Sequence, residues 1–196
     1  MNVHQTPIGL PAPIILLVGL ALFGLLVFIR SGGPQDEAGS KRSRLSILGI
    51  IVQMLAFFGV GLGLVVIAYA PTSPQALEQA GATLALVGIT CWIFAASKRA
   101  LGRNWSIVAR TRSGHELVTW GPFAYVRHPI YSALFVWLLA MAVAFGHYWG
   151  LIFGVPLYWI GTLLRIREEE RLLRAQFGAD YDAYARRVKR FVPGII

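Results

Sequence analysis

Pro11–Ile29 reads PAPIILLVGLALFGLLVFI, 19 residues without a charge. At 1.5 Å per helical residue this run is long enough to cross the hydrocarbon core of a bilayer, about 30 Å thick. No basic stretch precedes it and no small-residue cleavage site follows, so it reads as a retained span and not as a signal peptide. Four more apolar runs follow: Leu45–Ala70, Gly81–Ser97, Ile130–Phe145 and Gly150–Leu164. The last two are near the short limit, and their helices are expected to continue beyond the apolar part. Hydrophobic residues make up 56% of the chain and charged residues 14%, against roughly 25% charged in soluble domains. The expected fold is therefore an all-α, polytopic membrane protein with five transmembrane helices.

The cations orient it. The chain carries 18 Lys+Arg against 9 Asp+Glu, a formal charge of +9. Arg30, Lys41, Arg42 and Arg44 follow the first run. Lys98, Arg99, Arg103, Arg110, Arg112 and Arg127 lie between the third and fourth, and the remaining eight follow the fifth. The N-terminus, the segment 71–80 and the segment 146–150 have none. Alternation across five spans puts every cationic segment on one side, which the positive-inside rule makes cytoplasmic. The N-terminus is then outside and the C-terminus inside, and the expected location is the cell inner membrane. This placement explains the basic charge without nucleic acid as a partner.

Other motifs carry less. Gly59-Val-Gly-Leu-Gly63 lies within a run, with no strand before it, and reads as small residues at a helix contact. Cys91 stands alone among apolar neighbours, so no disulfide within the chain is possible. His4, His115, His128 and His147 lack metal-ligand spacing, and no metal is expected. No Gly-x-Ser-x-Gly element of a hydrolase occurs.

The chain divides into residues 1–97, three apolar runs with their loops, and residues 98–196, where the chemistry-bearing residues cluster. In Arg127-His128-Pro129-x-Tyr131 the proline fits a first helical turn. Arg127 and His128 then sit at the mouth of the fourth span, where free N–H groups suit an anion. Side chains reaching out to headgroups are the alternative. Glu168, Glu169 and Glu170 end the fifth span among Arg165, Arg167, Arg171 and Arg174, at offsets that allow ion pairs on a solvated helix. Alternatively one carboxylate turns inward, and Glu168 or Glu169 holds a cationic amine.

Together these elements resemble the isoprenylcysteine carboxyl methyltransferase family and, more distantly, the membrane phospholipid methyltransferases. The likeness rests on Gly102-Arg-Asn-Trp-Ser106, Gly114-His115 with Leu117-Val118, and Gly121-Pro-Phe123 with Arg127-His128-Pro129-x-Tyr131. It continues with Arg165, the triple glutamate, Phe177-Gly178 and Tyr181, over about the last hundred residues. The resemblance implies S-adenosylmethionine in a pocket open to the cytosol, between the interhelical loop and the C-terminal extension. Its cofactor residues fall on His115, Leu117, Val118, Gly121, Tyr125, Arg127, His128, Tyr131, Glu168 and Glu169. Arg165 matches the position that grips the acceptor carboxylate, Arg99 is a looser match for a catalytic role, and Glu168 is counted with them. A lipophilic acceptor would come sideways out of the bilayer. Methyl transfer from a sulfonium to a carboxylate needs alignment, not a base or a metal, whereas an amine or thiol acceptor would call on His128 or a glutamate. The chain lacks the longer N-terminal region of the eukaryotic enzymes, and its compact form resembles prokaryotic members. The acceptor therefore does not follow from the fold: a thiol, a phospholipid amine or a non-catalytic role stand beside the prenylcysteine carboxylate.

Overall fold

The structure, a computed structural model, describes residues 6–29, 43–105 and 116–191. These residues are mostly helical: α1 (Pro11–Phe28), α2 (Arg44–Gly61), α3 (Pro74–Leu101), α4 (Pro129–Phe145), α5 (Leu151–Phe177) and α6 (Ala179–Arg187). A two-stranded parallel pair, β1 (Ile8–Gly9) and β2 (Ile67–Tyr69), closes one end of the bundle. The helices α1, α2 and α3, and α5 with the turn before it, are long and apolar enough to cross a membrane. The apolar helix α4 has 17 residues.

The packing is that of helices in lipid. Large apolar side chains such as Leu17, Leu64 and Phe153 point outward, while Ala12, Ala56, Ala133, Ala140 and Ala144 are fully buried. Lipid tails are as apolar as leucine, so helices gain little from hiding leucine and more from bringing small residues into close contact. The pair α2–α5 shows this most sharply. Gly49 faces Gly161, and a Cβ on either would lie 2.7 Å from the other's carbonyl oxygen. On the other side, Val87 and Trp137 pack with Ala12, Leu16, Ala140 and Ala144 to join α1, α3 and α4.

Two polar contacts fix the ends. Lys98, on the last turns of α3, donates from Nζ to the carbonyls of Leu26, Val27 (2.9 Å) and Ile29 (2.7 Å). These are carbonyls that a helix leaves without partners at its C-terminus, where a cation is also favoured by the helix dipole. At the opposite end His147, in the turn between α4 and α5, places Nδ1 3.0 Å from the Val60 carbonyl. Thus α4 runs from one end of the bundle to the other.

The second apolar run departs from expectation. Leu45–Ala70 reads as one span, but α2 stops at Gly61 and the chain leaves it extended. Gly63 has φ +147°, which side chains rarely adopt, and a Cβ there would lie 3.0 Å from the His147 ring. The β-branched Val65, Val66 and Ile67 that follow suit a strand, and the Ile8 amide donates to the Val66 carbonyl at 2.9 Å. The third helix also begins earlier than its apolar run, at Pro74 behind the Ser73 cap.

Replacing Gly161 by alanine should lower the thermal midpoint in detergent, since overpacking costs about 1–3 kcal/mol. Gly88→Ala, at a position with nothing within 4 Å of the new Cβ, should leave it unchanged or raised. Equal midpoints for both variants would contradict the close α2–α5 contact.

Candidate active site

The site forms at the bundle end that holds Lys98. Residues 126–128 precede Pro129, which disfavours helix there and leaves them extended. The C-terminal tail returns after α6 and pairs with them: Arg127 N–H donates to the Lys189 carbonyl (2.7 Å) and His128 N–H to that of Arg190 (3.0 Å). Tyr184 anchors α6 by donating to the Phe123 carbonyl at 2.7 Å. Burial pushes the Tyr184 hydroxyl up to about 12, against the opposing pull of Arg127, so it stays a donor.

Glu170 is the centre of this fold-back. It is 2% exposed and accepts from Arg190 Nη2 (2.7 Å), Arg190 Nε (3.0 Å) and Arg127 Nη2 (3.1 Å). His128 Nε2 lies 3.3 Å away. Arg127 also spends Nη1 on the carbonyls of Ala185 (2.6 Å) and Val188 (3.0 Å). Its guanidinium therefore ties loop, α5, α6 and tail together.

Beside this hub lies a cavity of about 350 Å³. Its apolar walls come from all parts of the chain: Phe23 and Val27 of α1, Ile50 and Met54 of α2, Leu117 and Val118 of the loop, and Leu134 of α4. Arg165 and Glu169 of α5, four residues apart and so on one face of the helix, reach it together. The Arg165 guanidinium lies 5.0 Å above the Tyr131 ring, and the Tyr131 hydroxyl donates to Glu169. His128 Nδ1 is 3.7 Å from the other Glu169 oxygen.

The three glutamates thus part ways. Glu169 faces the cavity, Glu170 holds the ionic hub, and Glu168 accepts from Arg171 Nε (2.9 Å) and Nη2 (2.7 Å). Among the residues singled out in the sequence, Leu117, Val118, Arg127, His128, Tyr131, Arg165 and Glu169 line the cavity, and Glu168 does not. Gly121 and Arg99 are exposed and also lie off it. Tyr125 is 70% exposed. His115 lies outside the described residues, as do Gly114 and Ser106 of the same motifs.

Several lining residues were not singled out. Tyr181 was quoted after Phe177-Gly178 without a role, and Tyr184 stood in no quoted motif. Asn104 and Trp105 stood in a quoted motif without a role; Asn104 Nδ2 donates to the Glu116 carbonyl (3.2 Å). Gln53, which contacts Arg165, had a clear signal: it is the one amide inside Leu45–Ala70. Among the described residues no group of three His, Cys, Asp or Glu could hold a metal ion.

Comparison with known proteins finds relatives for the half of the chain that carries most of the site. Residues 82–175 match the model of the isoprenylcysteine carboxyl methyltransferase family. A protein-S-isoprenylcysteine O-methyltransferase of Schizosaccharomyces pombe is 36% identical over 94 residues, 47% of this chain and 40% of the relative. One from Dictyostelium discoideum is 32% identical over 116 residues, 56% and 49% of the two chains. Protein-S-isoprenylcysteine O-methyltransferase B of Arabidopsis thaliana is 34% identical over 94 residues, 47% and 48%. The chain spans about half the length of the curated relatives it matches.

The hub makes a direct prediction. Lysine is a point charge and cannot bridge two carbonyls and a carboxylate as the planar guanidinium does. Arg127→Lys should therefore lose about 1.5–3 kcal/mol, the worth of a hydrogen bond to a charged group. The readout is a lower thermal midpoint, with faster tryptic cleavage near Arg186–Arg190. Wild-type resistance in that variant would contradict the bridging role.

Proposed function

We propose that this chain is an integral-membrane methyltransferase of the isoprenylcysteine carboxyl methyltransferase family, whose model matches residues 82–175, and that it moves the methyl of S-adenosylmethionine to the carboxylate of a prenylcysteine-like acceptor. The observation that carries this is Arg165 and Glu169 facing one cavity from a single helix, with apolar walls from α1 and α2.

The residues suit the cofactor. S-adenosylmethionine bears an ammonium, a carboxylate, a sulfonium and a nucleoside. A cavity of about 350 Å³ falls within the usual range of small-molecule sites, about 300–1,000 Å³. Glu169 would hold the ammonium. The helix N-terminus at Pro129 and the neighbouring His128 would hold the carboxylate, and Leu117, Val118 and Tyr131 would flank the nucleoside. When bound, the cofactor supplies a methyl group already activated on positively charged sulfur.

The chain's own residues then have a positioning task. Arg165 would orient the acceptor carboxylate through charge-assisted hydrogen bonds, and its stacking on Tyr131 restricts the guanidinium. No residue has to take up a proton, because a carboxylate acceptor is already ionised. The apolar walls of α1 and α2 would accommodate a hydrophobic tail and keep water from the reacting atoms.

In the same proposal, α4 is a fifth span. It runs between the two ends of the bundle, and its 17 residues rise about 25 Å. The cationic segments then lie on the cytoplasmic side of the inner membrane, with the cavity facing the cytosol.

Calorimetry in detergent with S-adenosylmethionine tests this. Glu169→Ala should lose binding. Arg165→Ala should keep it, while turnover of an S-prenylcysteine carboxylate falls by about a hundredfold or more, the cost of misplacing a reacting group. A well-folded wild type that binds no cofactor would overturn the proposal, and unchanged turnover in Arg165→Ala would exclude a carboxylate held there.

A further inference from the structure

Gln53 lies in the middle of α2, 1% exposed, and outside the segment that matches the family model. An amide is expensive to bury in an apolar environment unless its donor and acceptor are both satisfied. Both are. Arg165 Nη1 donates to Gln53 Oε1 at 2.9 Å, and Gln53 Nε2 donates to Thr162 Oγ1 at 2.7 Å. Tyr158, one turn before Thr162 on α5, donates from its hydroxyl to the Tyr131 carbonyl at 2.5 Å. Tyr131 is thus held from α5 on two sides, because the Arg165 guanidinium rests over its ring.

Backbone geometry leaves this arrangement little slack. A Cβ on Gly161 would lie 2.8 Å from the Gln53 backbone nitrogen and 2.8 Å from its Cγ. Gln53 is therefore pressed against α5 one turn before Arg165. A leucine would fill the same space. What the amide adds is an acceptor aimed at the guanidinium, and this acceptor carries no negative charge. The contact fixes the direction of Arg165 without cancelling its charge, whereas a carboxylate at the same place would pair with it and compete with an anionic ligand.

We infer that Gln53 is a positioning residue that presents Arg165 to the cavity and so sets its preference for a carboxylate-bearing acceptor. The inference rests on the methyltransferase reading above. It assigns a functional part to α2, the helix that sequence motifs leave blank.

The test compares binding of an N-acylated S-prenylcysteine with that of its carboxamide, in wild type and in Gln53→Glu, by titration in detergent. Glutamate has nearly the same shape and can still accept from Arg165. Wild type should favour the carboxylate by about tenfold or more, the worth of a charged hydrogen bond. Gln53→Glu should lose that preference while keeping the wild-type thermal midpoint and affinity for S-adenosylmethionine. Gln53→Leu should weaken carboxylate binding less than Gln53→Glu does, since it removes the acceptor without adding a charge. If wild type favours the carboxylate and Gln53→Glu does so equally, Gln53 has no such role and the methyltransferase reading stands. If wild type has no preference, both the carboxylate reading and this inference fail.

Discussion

A carboxylate buried at the end of an apolar bundle must be met by cations, or it unravels whatever surrounds it. Glu170 meets that demand with Arg127 from the loop before α4 and Arg190 from the tail after α6, and His128 of the same loop lies beside it. The cost of removing one partner from a buried pair is about 3–5 kcal/mol, far more than an exposed pair is worth. The interaction therefore decides where the loop before α4 and the tail after α6 can go. Once they are drawn together, Tyr181 and Tyr184 are carried over the cavity, and the cavity has a wall on the side away from the membrane.

The membrane half of the structure obeys a different constraint. With lipid outside, burying leucine brings little, so the helices meet through alanine and glycine and leave their large side chains on the perimeter. That is why Gly49 and Gly161 can touch, and why Gln53, buried between α2 and α5, has both ends of its amide hydrogen-bonded. Lys98 and His147 act at opposite ends by the same logic, satisfying carbonyls that the helices leave open. The two regimes join at Arg165, which belongs to the membrane half through Gln53 and to the cavity through Tyr131.

Much of this was legible in the residues. Uncharged runs locate the helices, and Pro129 locates the start of α4 and the placement of Arg127 and His128. What periodicity could not give was the end of α2: Leu62–Ala70 is as hydrophobic as the helix before it. Only the positive φ of Gly63 and its contact with His147, 84 residues later, show why the helix stops. The division of labour among Glu168, Glu169 and Glu170 was equally hidden. Adjacent residues on a helix point about 100° apart, and which one faces inward depends on the rotation of α5, set by its glycine contact with α2. For the same reason Arg127 reads as an anion receptor in sequence while both its terminal nitrogens are committed to protein groups in the fold. Gln53 was conspicuous but uninterpretable without knowing that α2 packs on α5.

The central claim is that the Glu170 cluster holds the loop and the tail together and thereby encloses the cavity. Hydrogen–deuterium exchange of the Arg127 and His128 amides, which donate to Lys189 and Arg190, reads this directly. In the wild type both should exchange slowly, and in Glu170→Gln both should exchange fast while amides of α4 around Leu138 stay protected. Fast exchange at Arg127 and His128 in the wild type, or slow exchange that survives the loss of the carboxylate charge, would contradict it.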